Sequence, residues 1–203
     1  MKRIYFTAVP LESNFVLDKK PVCPVNFTLD TGVREAAFPI VPIVDATLQP
    51  EDEGVIVAVR QQNSPRNKNM DILREELDAL GKSNWTIREL TVPERQDKDL
   101  LLGLFTAMID CLADDACYYA CMTFGTKTYP VVLFSALSYA EKIRKNTQIC
   151  GIYYCEIRRE EGKPRQASLY DVSALFTLNS LVDLVAGMDC EDKDRMIRTM
   201  LEL

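Results

Sequence analysis

The stretch Ala116-Cys117-Tyr118-Tyr119-Ala120-Cys121-Met122-Thr123-Phe124-Gly125-Thr126-Lys127-Thr128-Tyr129-Pro130 decides how the rest of this 203-residue chain is read. Its first six residues have the composition of a buried strand. From Tyr129 to Lys145 apolar residues recur at helical spacing, so a strand gives way to a helix across Gly125. In an open α/β sheet, the loop leaving the carboxyl end of a strand borders the usual ligand crevice. The first-turn N–H groups of a helix lack internal partners and carry partial positive charge, which favours an anion such as phosphate. Gly125 lets the backbone approach a ligand closely, and Lys127 adds a full positive charge. The plainer reading is an ordinary strand-to-helix turn, with a threonine cap and a proline near the first helical position. Neither GxxxxGK[ST] nor GxGxxG occurs, which removes the P-loop and the dinucleotide fingerprint.

Working outward, Lys2 to Val9 (KRIYFTAV) and Gly54 to Arg60 (GVIVAVR) are unbroken apolar runs, as expected of buried parallel strands. Trp85 to Leu90 is a half-exposed third strand, Ala116 to Cys121 the fourth and Gln148 to Arg158 the fifth. The charged turn Arg159 to Arg165 leads into Ala167 to Val172, which pairs back antiparallel. Between them lie a helix bearing Met70, Leu73, Leu77 and Leu80, ended by Gly81, and a helix from Lys98 to Leu112. The helix after Gly125 buries Leu133, Ala136, Leu137, Ala140 and Ile143. Ser173 to Met188, with Asp171 as its cap, is apolar around much of its circumference and suits a subunit interface. The alternation predicts a three-layer α/β fold.

Residues 10–53 resist this reading because they hold six of the ten prolines. Phe15-Val16-Leu17 and Val22 to Leu29 read as a hairpin turning at Asp18-Lys19-Lys20, and the proline-rich segment as packing and edge protection. Arg34 to Leu48 has helical spacing, but Pro39 and Pro42 would kink or break a helix there.

Several function classes drop out on composition. A net charge of −6 argues against coating duplex nucleic acid. No apolar run approaches the ~20 residues of a membrane span, and Met1-Lys2-Arg3 leads into a strand rather than a signal peptide, so the chain reads as cytoplasmic. Seven cysteines form an odd set without a CxxC, consistent with buried free thiols rather than a zinc site. There is no histidine, which removes the Ser-His-Asp and Cys-His systems and the usual imidazole base. Chemistry would run on Lys, carboxylate, Tyr or hydroxyl groups, or on positioning. Thr7, Ser13 and Asn14 fall at or just after the first strand, on the Gly125 side of a parallel sheet. Gln61, Asn63 and Asn67 follow the second strand, either lining the same crevice or forming a solvated connection.

This order of elements, with Thr123-Phe124-Gly125-Thr126-Lys127 after the fourth strand, resembles the CRISPR-associated Rossmann fold (CARF) sensor domain. Such domains carry a threonine- and glycine-rich GTK loop at this place. Gly125-Thr126-Lys127 matches it, and Phe124 stands where a second glycine is common. Gln148 to Tyr154, with its hairpin and following helix, also looks like the closing part of these domains. The resemblance implies a Rossmann-like sandwich with a mostly parallel sheet and a C-terminal antiparallel hairpin over residues 1–188. Residues 189–203 are then an amphipathic helix or the start of a linker.

The resemblance further implies a homodimer that binds cyclic tetra- or hexa-adenylate, the second messenger of type III CRISPR antiviral immunity, across its two-fold axis. The loop Thr123 to Lys127 would face the ring, with Lys127 neutralising a phosphate and Gly125 and Thr126 supplying hydrogen bonds. Ser13 or Asn14 would contact ribose or base. Some family members also open the ring by attack of a ribose 2′-hydroxyl on the adjacent phosphate, leaving a 2′,3′-cyclic phosphate. Alignment and charge stabilisation suffice for that step; Lys127 and Ser13 are the candidates here, turnover would be slow, and no metal or cofactor is implied. Most family members fuse the sensor to an effector, whereas about thirty residues follow the hairpin here. The effector is then a separate chain, or the chain is a stand-alone sensor, a ring nuclease or an amino-terminal piece. Two other classes stand beside this one: a Rossmann-like enzyme acting on a nucleotide or sugar phosphate, and a dimerisation scaffold with an empty crevice.

Overall fold

Eight strands form one sheet in the computed structural model, which describes residues 1–10, 16–61, 67–92, 97–160 and 163–201. In chain order the first elements are β1 (Lys2–Val9), β2 (Lys20–Pro24), β3 (Glu35–Ala36), α1 (Ile40–Thr47), β4 (Glu53–Gln61) and α2 (Lys68–Asp78). Next come β5 (Trp85–Val92), α3 (Lys98–Ile109), β6 (Ala116–Cys121), α4 (Tyr129–Ile143), β7 (Gln148–Glu160) and β8 (Lys163–Asp171). Helices α5 (Ser173–Gly187) and α6 (Lys193–Leu201) follow. The sheet runs β3-β2-β8-β7-β6-β1-β4-β5.

The five strands β7, β6, β1, β4 and β5 pair in parallel. Numbered by their order along the chain they stand 3-2-1-4-5, the Rossmann half-fold arrangement. The chain moves outward from β1 through β4 to β5, then returns to the other side of β1 for β6 and β7. Right-handed crossovers put the helices of the two excursions on opposite faces. Accordingly α1 packs with α2, and α3 with α4. The fold is thus a Rossmann-like α/β sandwich with a mostly parallel sheet, closed by the antiparallel pair β7–β8.

Strand position explains composition. The central strands β1 and β6 are buried on both faces and need continuous apolar runs. At the edge, β5 alternates between exposed and half-buried along Trp85–Glu89. Four of the seven cysteines, Cys111, Cys117, Cys121 and Cys155, are buried free thiols.

The proline-rich segment is where the structure departs most from the sequence reading. No hairpin turns at Asp18-Lys19-Lys20. Instead β2 runs parallel to β8 at the far side of the sheet, and β3 closes that edge. Pro21 and Pro24 are tolerated because this is the sheet margin, where a missing N–H need not break a ladder. The segment does protect an edge, by becoming it. Lys20, read as part of a charged turn, is buried at 2% exposure. Its ammonium donates to the carbonyls of Ala37 (3.0 Å) and Asp18 (3.2 Å).

Pro39 and Pro42 do not break α1 either. Pro39 is the N-cap and Pro42 lies in the first turn, where N–H groups have no intrahelical partner to lose. Two smaller corrections concern helix ends. Ile143, expected in the core, is 61% exposed at the last position of α4. Val172 rather than Asp171 caps α5, without a side-chain bond, because Asp171 closes β8.

The chain divides into two compact units, Met1–Asp171 and Val172–Leu203. In the second, α5 and α6 pack together, and α5 exposes Leu175, Val182 and Leu184. No described helix is long and apolar enough to cross a membrane.

One side chain ties the start of the proline-rich segment to the Rossmann unit. Asn69, fully buried, accepts from the Leu17 N–H (2.8 Å) and donates to the Pro10 carbonyl (3.1 Å). Asn69→Ala strands the Leu17 N–H, leaves the Pro10 carbonyl only a long bond from the Asn67 side chain (3.5 Å), and is expected to lower unfolding free energy by about 1–3 kcal/mol. Urea unfolding reads this directly, and a change under 0.5 kcal/mol would show that these bonds carry nothing.

Candidate functional site

The reversal of strand order places a topological switch point between β1 and β6, and ligands of open α/β sheets bind outside the carboxyl ends of such strands. The turn from β6 into α4 sits there. Each of its residues is held differently.

Thr123 is an anchor. Its Oγ1 accepts the Cys155 N–H of β7 (2.9 Å) and shares a hydrogen bond with the Cys121 thiol (3.2 Å). Phe124 also turns inward: it is buried, with its ring edge-to-face on Phe38 at 5.7 Å between centroids and 76° between planes. Gly125 adopts φ +105°, a region L side chains rarely enter. A Cβ there would stand 3.0 Å from Ala8 Cβ of β1 and 3.2 Å from the Tyr129 ring. This is the closest approach of the β6 turn to β1, at the switch point itself. The Thr126 carbonyl then accepts from the Tyr129 N–H (3.1 Å), and its hydroxyl bonds to that of Thr128 (3.0 Å). Thr128 is the N-cap residue of α4, without a side-chain cap bond.

The helix start offers an anion less than the sequence suggested. Pro130 has no N–H, and that of Tyr129 is already taken by Thr126. Positive charge on the turn itself comes instead from Lys127, next to Thr126; Lys127 is exposed and engaged by no ion pair among the described residues.

Beside the turn, a crevice opens between the ends of β1 and β4 and the helix α3. Ala8, Gln61, Leu104, Gly125, Thr126 and Tyr129 line it. Of the residues expected at the ligand, Gln61, Gly125 and Thr126 are brought together there. Thr7 is not, being 1% exposed within β1. Asn67 serves as the N-cap of α2, its side chain accepting from the Asn69 N–H at 2.9 Å. Ser13, Asn14 and Asn63 lie outside the described residues.

The cation that lines the crevice, Arg60, is neutralised by a carboxylate. Arg60, the last charged residue of β4, donates through Nε to Glu89 (2.8 Å), and Arg74 of α2 grips the same carboxylate. Tyr129 is a residue whose part in any chemistry the sequence left open. Its hydroxyl is buried and meets no partner among the described residues. Burial, reinforced by Cys121, raises its pKa, so it remains a neutral phenol and supplies no base. A tyrosine directly before the proline of a helix start, with a glycine four residues earlier, was the available signal. Phe38 and Ala8 had none, because their roles exist only through contacts with β6.

The arrangement is therefore a glycine-pinned turn presenting one hydroxyl, one ammonium and exposed backbone at a switch point. It can bind and orient a compact anion. Among the described residues no group of three or more His, Cys, Asp or Glu side chains is placed to hold a metal ion. Compared with known proteins, the chain matches no protein-family model and no curated protein.

Proposed function

We propose that this protein binds a cyclic oligoadenylate, tetra- or hexa-adenylate, as the sensor of a type III CRISPR antiviral response. It acts as a homodimer with the ring on its two-fold axis. The observation that carries this reading is the Gly125 turn: a glycine at φ +105° packed on β1 at the switch point, followed by an unpaired exposed lysine. Two such turns related by a two-fold axis would suit a symmetric anionic ring. Thr126 and Lys127 carry the phosphate contacts, and Gln61 reaches the ring from β4.

Slow opening of the ring is part of the proposal, with Lys127 stabilising the charge that grows on the attacked phosphate. The ribose 2′-oxygen gives up its proton to water and forms the new bond to phosphorus as the bond to the 5′-oxygen breaks; that oxygen takes a proton from water, which leaves a 2′,3′-cyclic phosphate and a 5′-hydroxyl. Neither Tyr129 nor any histidine is at hand as a base. Turnover is accordingly expected to be slow, the work falling to alignment.

The test is to mix purified protein with each ring, follow melting, and chromatograph the mixture over hours. Binding raises the melting temperature by linkage. One ring per dimer supports the proposal, whereas one nucleotide per subunit favours a Rossmann-like enzyme acting at the same crevice. No shift with either ring sinks it. Lys127→Ala should weaken ring binding by about ten- to a hundredfold and leave the unliganded melting temperature unchanged, since Lys127 is exposed and unpaired. Retained affinity would remove Lys127 from the site.

A further inference from the structure

Thr123 and Phe124 turn away from the crevice, and what Phe124 touches makes a distant part of the chain responsible for the turn. We infer that Phe38, clamped in place by buried Lys20 and Glu76, is a positioning residue. It holds Gly125-Thr126-Lys127 in binding geometry by bearing edge-on against Phe124. The inference rests on the reading of that turn as the ring's phosphate contact.

The contact is well placed to act on the turn. The two rings meet at 5.7 Å and 76°, the edge-to-face arrangement that aromatic quadrupoles favour. Phe124 immediately precedes Gly125, so rotation about its backbone would swing Gly125 off Ala8 and carry Thr126 and Lys127 with it. Thr123, bonded to Cys155, fixes the strand side of the turn. Beyond Gly125, the hydrogen bond from the Tyr129 N–H to the Thr126 carbonyl is local and moves with the turn. The Phe124 ring thus ties the turn to the body of the protein at the residue next to Gly125, as Thr123 does one residue earlier.

Phe38 is itself held with unusual firmness. Its N–H donates to Glu76 Oε2 at 3.0 Å, the Ala37 N–H donates to Glu76 Oε1 at 2.7 Å, and the Ala37 carbonyl accepts from Lys20 Nζ at 3.0 Å. Glu76 and Lys20 are 5% and 2% exposed. Opposite charges therefore grip the Ala37–Phe38 backbone from both sides, in a place where each is disfavoured by desolvation. Filling space under α1 would need no charge at all. Apolar side chains of similar volume would pack as well, but they would leave the Ala37–Phe38 backbone free to shift. Fixing where Phe38 stands is what the charged clamp adds.

The test uses the whole chain carrying Phe38→Leu, Phe124→Leu, or both, with Glu76→Gln as an approach from the clamp should an aromatic variant fail to fold. Backbone amide order parameters are followed at Gly125, Thr126 and Lys127 and, for reference, at Ile4, Tyr5 and Phe6 of β1. Affinity for each cyclic oligoadenylate is measured in parallel. Either leucine variant should lower the order parameters of the three turn amides and weaken ring binding by about three- to tenfold. The β1 amides should be unaffected. The double variant should be no worse than the poorer single one, because both changes remove one contact. Order parameters that are unchanged at the turn, or that fall equally in β1, overturn the inference, as do losses that add in the double variant. If wild-type protein binds neither ring, the proposed function fails, and the order-parameter comparison still decides whether Phe38 positions the turn.

Discussion

Gly125→Ala is expected to destabilise the protein by about 2–5 kcal/mol and, on the proposed function, to abolish ring binding. Two separate penalties meet at this position. An L side chain at positive φ costs roughly 1–2 kcal/mol, and Gly125 stands at φ +105°. Overpacking adds typically another 1–3 kcal/mol, because the new methyl would lie 3.0 Å from Ala8 Cβ on a buried strand. Neither neighbour yields easily. Ala8 is buried and paired with Val59 of β4, and the Tyr129 ring at 3.2 Å is buried. The backbone must therefore move, taking Thr126 and Lys127 out of register with a ligand. Gly81→Ala is the internal control. Gly81 has φ +67° but nothing within 4 Å of its would-be Cβ, so it bears only the conformational penalty. Urea unfolding of both variants separates the two terms. Equal destabilisation would mean that the contact with Ala8 is slack, and the assignment of Gly125 to the switch point would lose its main support.

Glu76→Ala is expected to cost about 3–5 kcal/mol, the usual penalty for removing one member of a buried charged set. It strands the N–H groups of Ala37 and Phe38 and removes a carboxylate that compensates the charge of buried Lys20. Glu76→Gln keeps one acceptor and should lose about half as much. The pH dependence gives an independent check. Desolvation raises the Glu76 pKa above the ordinary carboxylate value, partly offset by the two backbone N–H groups. A carboxyl with a raised folded-state pKa contributes stability that is fully present below its unfolded value and is lost as pH rises through the folded one. Wild type should accordingly lose stability relative to Glu76→Gln as pH climbs from about 4 through the raised value. A parallel pair of stability curves would show that Glu76 is more solvated than its burial implies. Lys20 is shifted the other way, downward, by the same desolvation.

Both predictions concern residues that the sequence showed in part or not at all, and the difference has a physical cause. Gly125 announced itself because a strand pattern, a glycine and a helix pattern follow one another within the span of a single turn. Glu76 is an acidic residue in a helix rich in charge, and nothing local distinguishes it from Glu75, which is exposed. Its role is to satisfy two backbone groups of a segment that arrives from elsewhere in the chain. Thr123 and Phe124 belong to the same class. In sequence they read as part of the ligand loop, but the register of β6 against β7 and the presence of Phe38 turn both inward.

What the sequence by itself determined is the layered α/β architecture and the place of the Gly125 turn between β6 and α4. Central parallel strands must be apolar on both faces, helices that cover them must be apolar at one period, and a glycine must stand where β6 meets β1. All three requirements are written within a few residues of where they act. Tertiary structure alone decided the course of residues 16–48, the burial of Lys20 and Glu76, and the division of the Gly125 turn into anchors and binding groups. There, β2 pairs with β8 from the other end of the chain, and the prolines lie at a sheet margin and in a first helical turn. Such choices follow from which distant backbone groups need partners, and that information is absent from any local pattern.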